Sequence, residues 1–506
     1  MRVGAREALM GIDLGTTAVK VGLFEAASGE ALAVAHTEYK PASPAPGWLE
    51  LDAETYWEAT VAATREALAE AGDDEVVGIG LSSQGQTFMP LDEGYHPLRP
   101  AIVWLDTRAQ EQADHLRGVF DPDEYRRRRG ADFPTAVDSA PKMLWLRQNE
   151  PETWARTRYL MMLPDYLGLR LTGERRLDTS NAGSTAMVDR TTGDWWPEAL
   201  AAVGVPREWM SPIGRPAELI GDLCAEAAEE LGLSPGIPVA LGSNDQLNGA
   251  VGVGNVRAGI ASGTVGTAMA IVSTFERPSP EAAGRPIGGP HPVEGLSYLL
   301  SYAKTSGMVL TWLRDLLEPA AAYEGLLADA AEVAPGSEGL VCLPHFSGTG
   351  PPTFRSDVRG GFIGLALGHG RPHLVRAIVE AVCFAARDAL SLTAREAQAP
   401  MELRMLGGAT RSDFWMQTMS DVVRLPLEIP VCGEAPVLGA AIFAGVASGR
   451  FACIREGSEA FYRPRRTFQP QEDVGAEYDE AYAAYREAME RLYPGALVGR
   501  AFQPDS

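Results

Sequence analysis

Short apolar runs separated by tight polar turns open the chain: ALMGIDL, a Gly-Thr-Thr turn, AVKVGLF, and, through the turn SGE, ALAVAH at 31–36. Runs of this kind bounded by turn residues predict an antiparallel meander of three strands. A helix should follow, because Asp52 stands as an N-cap, Trp57, Val61, Thr64 and Leu68 recur at helical spacing, and Gly72 stops the pattern. VVGIGLSS at 76–83 and LRPAIVWLD at 98–106 return to strand character, each with polar residues gathered past its carboxyl end. Open α/β sheets place ligand residues there. SAPKMLWLRQN from 139 reads as helix until Pro151, the stretch 174–215 is looser, and PVALGSNDQ at 238–246 is again a strand ending in polar residues. The opening pattern then recurs: GIASGTVGTAMAIV from Gly259 repeats the strand, Gly-Thr turn and strand of GIDLGTTAVKVGLF from Gly11. Beyond it come a helix from Pro372, the strand LRMLGG, helices at 412–424 and 435–447, and a last amphipathic helix with Tyr478, Tyr482, Tyr485, Met489 and Leu492 on one stripe, expected in a core. The repeat divides the chain near Gly249, into domains 1–248 and 249–506.

A chain of 506 residues with 45% hydrophobic and 22% charged residues is long enough for two such domains. Its formal net charge of −23 repels nucleic acid and anionic membrane, and the one basic run, Arg126 to Arg129, is expected on a solvated loop. No apolar run is long enough to span a membrane, and five scattered cysteines without a CxxC pair fit reduced thiols in a cytoplasmic protein. The histidines form no HExxH pair. Against so acidic a background, any bound polyphosphate must be neutralised locally by a divalent cation, main-chain amides and a few placed cations. Lys20, one of only four lysines beside Lys40, Lys142 and Lys304, is a candidate for that work.

Gly-Thr hairpins are suited to phosphate, since glycine lets the backbone approach an anion and turn amides and hydroxyls donate to its oxygens. Asp13, at the end of the first strand, would face a hydrated cation, though a carboxylate in such a place can equally be a turn former. Neither GxxxxGK[ST] nor a GxGxxG opening a helix is present, so the phosphate grip is of another type. Asp245, in SNDQ just before the second hairpin, stands where phosphoryl transfer needs a base; the alternative is a helix cap. In WLDTR, Trp104, Asp106 and Arg108 alternate, which on an extended segment gives one face fit for a polyol, or else Asp106 and Arg108 form a structural ion pair. Gln84 and Gln86 offer further partners for hydroxyls. The turn at Gly407-Gly408 would let a nucleobase lie against backbone, although many strand-to-helix turns use glycine similarly.

Taken together, these residues resemble the FGGY family of carbohydrate kinases. GGFIGLALGHGRPHLVRAIVE at 360–380 fits the family's signature from Gly360 through Phe362, Gly364, Leu365, His373, Leu374, Ala377 and Glu380. A second signature fits at Ser139, Lys142, Trp145 and Leu146 but has Val137 where the pattern takes an aromatic, glycine or small polar residue. The resemblance implies an α/β, actin-like and ribonuclease-H-like fold of two duplicated domains around a nucleotide cleft, with ATP and Mg2+. It implies Asp13 at the metal; Gly15, Thr16, Thr17, Lys20, Gly263 and Thr264 at the phosphates; Gly407, Gly408 and Ser412 at the adenosine. Gln84, Gln86, Trp104, Asp106 and Gln246 would meet the sugar, and Asp245 would contact it as the base. The layout is nearest the xylulokinase branch, although where that branch has the pattern QMHG this chain has Gln84-Gly85-Gln86-Thr87, with Gln86 in place of the histidine. A ketopentose such as D-xylulose is therefore expected, with another ketose or a sugar alcohol as alternative. The reading from another class is a non-catalytic actin- or chaperone-like ATP-binding protein. Expected partners are a small-molecule sugar and ATP, with no nucleic acid and no membrane; the family also implies a homodimer.

Overall fold

A computed structural model describes residues 6–131, 133–277, 288–350, 353 and 355–497 of the chain. Two compact units result: Met1–Val256 with Ser279–Gly295 and Glu434–Tyr462, and Arg257–Pro278 with Leu296–Gly433 and Arg463–Ser506.

In the first unit the strands β1 (Glu7–Leu14), β2 (Ala18–Glu25), β3 (Ala31–Glu38), β4 (Glu75–Ser83), β5 (Leu219–Asp222) and β6 (Pro238–Asn244) line up as β3-β2-β1-β4-β6-β5. β1, β4 and β6 run parallel, whereas β2, β3 and β5 join antiparallel. The second unit repeats these directions with β7 (Ile260–Val265), β8 (Met269–Glu276), β9 (Leu296–Ala303), β10 (Glu402–Leu406), β11 (Leu427–Pro430) and β12 (Pro464–Phe468), arranged β9-β8-β7-β10-β11-β12, so that its antiparallel edge strand β12 follows β11 in the chain where β5 precedes β6. This is the duplicated actin-like architecture the sequence resemblance implied. β1 is buried at every position after Glu7, as a strand covered on both faces must be.

One cover is the helix Ala435–Ala447, which belongs to the first unit although it lies far along the chain. The sequence reading had placed it, with the rest of 434–462, in the second domain. It sits close because the sheet beneath it lacks side chains: a Cβ on Gly11 would come 1.9 Å from the Val437 carbonyl oxygen, and one on Gly80 would come 1.9 Å from that of Ala440. Gly249 falls inside the helix Asp245–Gly252 rather than in a linker.

The expected helix after Asp52 spans Ala53–Ala71, capped by the Asp52 side chain and ended by Gly72 at φ 78°. Tyr478, Tyr482, Tyr485 and Met489 are buried on the helix Gly475–Leu492, while Leu492 at its end is exposed. Arg126 to Arg129 lie on a helix, Pro122–Arg129, capped by Asp121, and not on a loop. Arg128 pairs there with Glu124 and Asp189. Of LRPAIVWLD only Ala101–Ile102 is strand, so Trp104, Asp106 and Arg108 do not alternate along one extended face. Among the described residues no helix is long and apolar enough to cross a membrane.

Candidate active site

β1 delivers Asp13 to the carboxyl edge of the first sheet, directly opposite Lys20 on β2. Burial raises the Asp13 pKa; the Ser82 hydroxyl, donating to Oδ1 at 2.6 Å, and the charge of Lys20 oppose that rise. Lys20 Nζ reaches Glu434 Oε2 at 2.5 Å, just before the helix 435–447.

The turn that follows is held by side chains from several segments. Gly15 closes it with an amide donated to the Ala18 carbonyl at 3.0 Å. The Gly15 carbonyl accepts from Tyr39 Oη at 2.6 Å and from Gln84 Nε2 at 3.0 Å, and Trp104 Nε1 donates to Thr16 Oγ1 at 2.9 Å. Gln84 thus braces the turn with Nε2, which also donates to Tyr56 Oη, while its Oε1 is buried with no hydrogen-bond partner among the described residues. Thr17 is exposed at the tip.

Asp245 is the first residue of the helix Asp245–Gly252, but Asn244 is the cap, its side chain accepting from the Leu247 amide at 3.0 Å. The Asp245 carboxylate accepts from its neighbour Gln246, at 2.8 Å from the amide and 3.4 Å from Nε2. Desolvation first, and the charge of Asp13 second, push its pKa up to about 7. An acid whose pKa is raised by a neighbouring acid marks a site short of positive charge, which a divalent cation would relieve. Magnesium commonly takes one or two carboxylates plus substrate phosphates and water, so the pair fits that ion. No cluster of three or more His, Cys, Asp or Glu side chains able to hold a metal occurs among the described residues.

Gln86 takes φ 58°, a left-handed conformation strained for a residue with a side chain. Two bonds hold it there: its amide donates to Ser184 Oγ at 3.1 Å and its carbonyl accepts from Ser139 Oγ at 3.0 Å. Ser184 caps the end of the short helix Thr179–Gly183, whose Ser180 hydroxyl also accepts the Asn244 amide at 2.8 Å. One turn of helix therefore carries both Gln86 and the segment bearing Asp245. The sequence reading passed over it as part of a loose region. Its signal was the string DTSN, in which Asp178 accepts from the amides of Ser180 and Asn181 and from both their side chains. Asn181 Oδ1 is buried beside Gly85 with no partner.

Fully buried, Asp106 accepts from the Leu49 amide at 2.5 Å and from Arg108 through the amide, Nε and Nη2, so the ion-pair alternative is the one observed. Trp104 is carried on the adjoining turn, whose Val103 and Trp104 carbonyls accept from Lys142 Nζ at 3.2 and 2.8 Å. Burial pulls the Lys142 pKa down to about 7, against the charges of Asp106 and Asp138. Asp138 spends one carboxylate oxygen on the Thr135 amide and hydroxyl.

In the second unit the hairpin turn is Gly266-Thr267-Ala268, closed by the Gly266 amide on the Ala268 carbonyl at 2.9 Å. Gly263 and Thr264, expected at that turn, lie inside β7: Gly263 is buried opposite Ile271, and Thr264 pairs with Ala270. Gly266 and Thr267 open onto a cavity of about 860 Å³ within this unit. Gly408 and Ser412 line it too, beside Gly407 at φ 92°, where a Cβ would strike the Val265 carbonyl at 2.4 Å. The second hairpin and the Gly407-Gly408 turn thus share one cavity. Its other wall was not expected: Met308 and Trp312 on the helix Gly307–Leu317, with Tyr323 and Leu327 on the next helix.

Comparison with known proteins agrees with this duplication. The model of the FGGY family of carbohydrate kinases matches with its N-terminal domain over residues 8–252 and its C-terminal domain over 258–448. The chain is 30% identical over 492 residues to the xylulose kinase of Escherichia coli strain K12, covering 96% of this chain and 99% of that protein. It is 28% identical over 496 residues to the gluconokinase of Bacillus subtilis strain 168, covering 93% of each. Among solved structures, xylulose kinase from Rhodospirillum rubrum superposes with a TM-score of 0.89 at 29% identity, over 97% of this chain and 99% of that one.

Proposed function

The chain belongs to the FGGY family of carbohydrate kinases, and on that premise we propose that it transfers a phosphoryl group from ATP to a primary hydroxyl of a ketose, D-xylulose first among candidates. The observation that carries the reading is Asp245, a carboxylate uncommitted to capping, beside Asp13 and with its pKa pushed up to about 7. A general base works best with a pKa near the operating pH, and phosphoryl transfer asks the protein for little chemistry beyond a base, positioning and charge neutralisation.

In this reading Asp245 orients the sugar hydroxyl and takes its proton. The half-buried face of Trp104, the strained Gln86 and Gln246 wall the sugar. Gln84 and Asp106 act from behind them, bracing the Gly15 turn and the Trp104 turn. On the first unit Gly15, Thr16, Thr17 and Lys20 are suited to phosphate; within the second, Gly266 and Thr267 are likewise, and the cavity they share with Gly408 and Ser412 takes the adenosine. Asp13, with Asp245 beside it, would hold a magnesium ion, which when bound neutralises charge on the polyphosphate. A soluble metabolic enzyme of the cytoplasm is the matching setting.

Two measurements test the reading. A coupled ADP-release screen over pentuloses, hexuloses, polyols and gluconate should give its strongest response with D-xylulose; gluconate as the best acceptor would replace that choice with the acid. Asp245→Asn should lower sugar-dependent ADP formation by at least about a hundredfold while nucleotide binding persists. Unchanged turnover would overturn the assignment of the base.

A further inference from the structure

Lys20 and Asp13 face each other across β1 and β2, which is local. The third charge of the group is not: Glu434 lies 414 residues further along the chain and brings its Oε2 to 2.5 Å from Lys20 Nζ. Glu434 caps the helix it precedes through its backbone alone, its carbonyl accepting the Leu438 amide at 3.0 Å, and its side chain makes no hydrogen bond to that helix's amides. Both partners stay open to solvent, with 40% and 38% of their side-chain surfaces exposed, so the pair is exchangeable and not locked into a core. The group of two acids and one ammonium is net negative beside a turn read above as a phosphate cradle.

We propose that Glu434 is a positioning residue, an internal counter-ion that holds Lys20 beside the Gly15 turn and gives it up to the incoming phosphate. The inference rests on the reading of that turn as a phosphate site. Without nucleotide, the lysine would otherwise swing freely on a four-carbon stem. Glu434 holds its ammonium in place, and phosphate must displace the carboxylate in order to bind. Glu434 thus trades nucleotide affinity for orientation.

A partly exposed ion pair is worth up to about 1 kcal/mol. Glu434→Gln, which retains shape and removes charge, should therefore tighten binding of the magnesium complex of the β,γ-imido analogue of ATP by up to about fivefold in calorimetry. Glu434→Asp should return most of the original affinity. The tightening should shrink at high ionic strength. In a Lys20→Met background, Glu434→Gln should change analogue affinity by less than about half, since the carboxylate acts only through the lysine.

The two readings fail separately. If Lys20→Met alone leaves analogue affinity unchanged, the phosphate role of the turn is refuted. If Lys20→Met weakens binding while Glu434→Gln leaves it unchanged or weakens it, the counter-ion role alone is overturned. A merely structural Glu434 would lower thermal stability without moving analogue affinity in either background, which also overturns the proposal.

Discussion

Trp104→Phe separates two roles that the indole combines. The substitution keeps an aromatic face and removes one donor, Nε1, which lies 2.9 Å from Thr16 Oγ1. Because the indole can only donate, Thr16 accepts from it and has its own hydroxyl hydrogen left to give to a phosphate oxygen. The turn bearing Trp104 should survive, because its carbonyls stay bonded to Lys142 Nζ and its amide stays bonded to Thr87 Oγ1 at 3.0 Å. The loss is one hydrogen bond of net worth about 0.5–1.5 kcal/mol, or about two- to twelvefold. It should appear in kcat/KM for ATP, measured from initial rates of ADP formation over a matrix of ATP and sugar concentrations. The KM for sugar should move less than about twofold. Thr16→Val should cost a similar factor, and Trp104→Phe made on top of it should add little. A deficit confined to the sugar KM, with ATP kinetics intact and the two substitutions additive, would show that the bond to Thr16 carries nothing.

Two further expectations concern the first unit's stability. Gly80→Ala should destabilise it by about 1–3 kcal/mol in denaturant titration, since the new Cβ would meet the Ala440 carbonyl, whereas Gly118→Ala, with no atom within 4 Å of the new Cβ, should be neutral or slightly stabilising. Asp165 is fully buried, and desolvation pushes its pKa up to about 8, with Ser211 donating to Oδ2 as the main opposing influence. The native state therefore binds this proton more tightly than the unfolded chain, and the stability it contributes is present in full below about pH 4 and lost as pH rises toward 8. Thermal midpoints recorded from pH 4 to 9 should show that decline, and Asp165→Asn should flatten it; an equal decline in the variant would place its cause elsewhere.

Elements whose signals are local were legible. The helix 53–71 shows its cap, its buried stripe and its terminal glycine in consecutive residues, and the fold keeps all three. LRPAIVWLD misled because its apolar run continues past its short strand: beyond Ile102 the carbonyls of Val103 and Trp104 accept from a buried lysine in place of a ladder partner, and Leu105 is exposed. A charge run hid the helix at 122–129, although Asp121-Pro122, a cap followed by proline at the first helical position, announced it. Asp13 and Asp245 could be chosen from position alone because each ends or follows an apolar strand. The influence of Asp13 on Asp245 could not, since it depends on β1 and β6 flanking β4 in one sheet.

The second hairpin shows why the phosphate side was only partly readable. GTVGT offers two Gly-Thr pairs, and glycine serves different needs in each. At Gly263 a Cβ would sit 3.1 Å from Ile271 Cγ1 and Met405 Sδ, so that glycine exists for packing between neighbouring strands. At Gly266 no atom lies within 4 Å of the added Cβ, which leaves the turn's backbone open to a ligand. Only the strand register, with Val265 opposite Met269, tells them apart. That register also sharpens the asymmetry of the duplication. Where Asp13 pairs with Lys20, Thr264 pairs with Ala270, so the second hairpin has no charges at the corresponding positions. The first hairpin thus carries an acid and a lysine, whereas the second offers amides and hydroxyls. The helix 435–447 explains how Glu434 joins that first set: the glycines of β1 and β4 let it lie against their sheet, and the residue just before it arrives at Lys20. A side chain on Gly11 or Gly80 would therefore disturb charge placement at the phosphate turn as well as packing, and nucleotide affinity should fall together with stability in those variants.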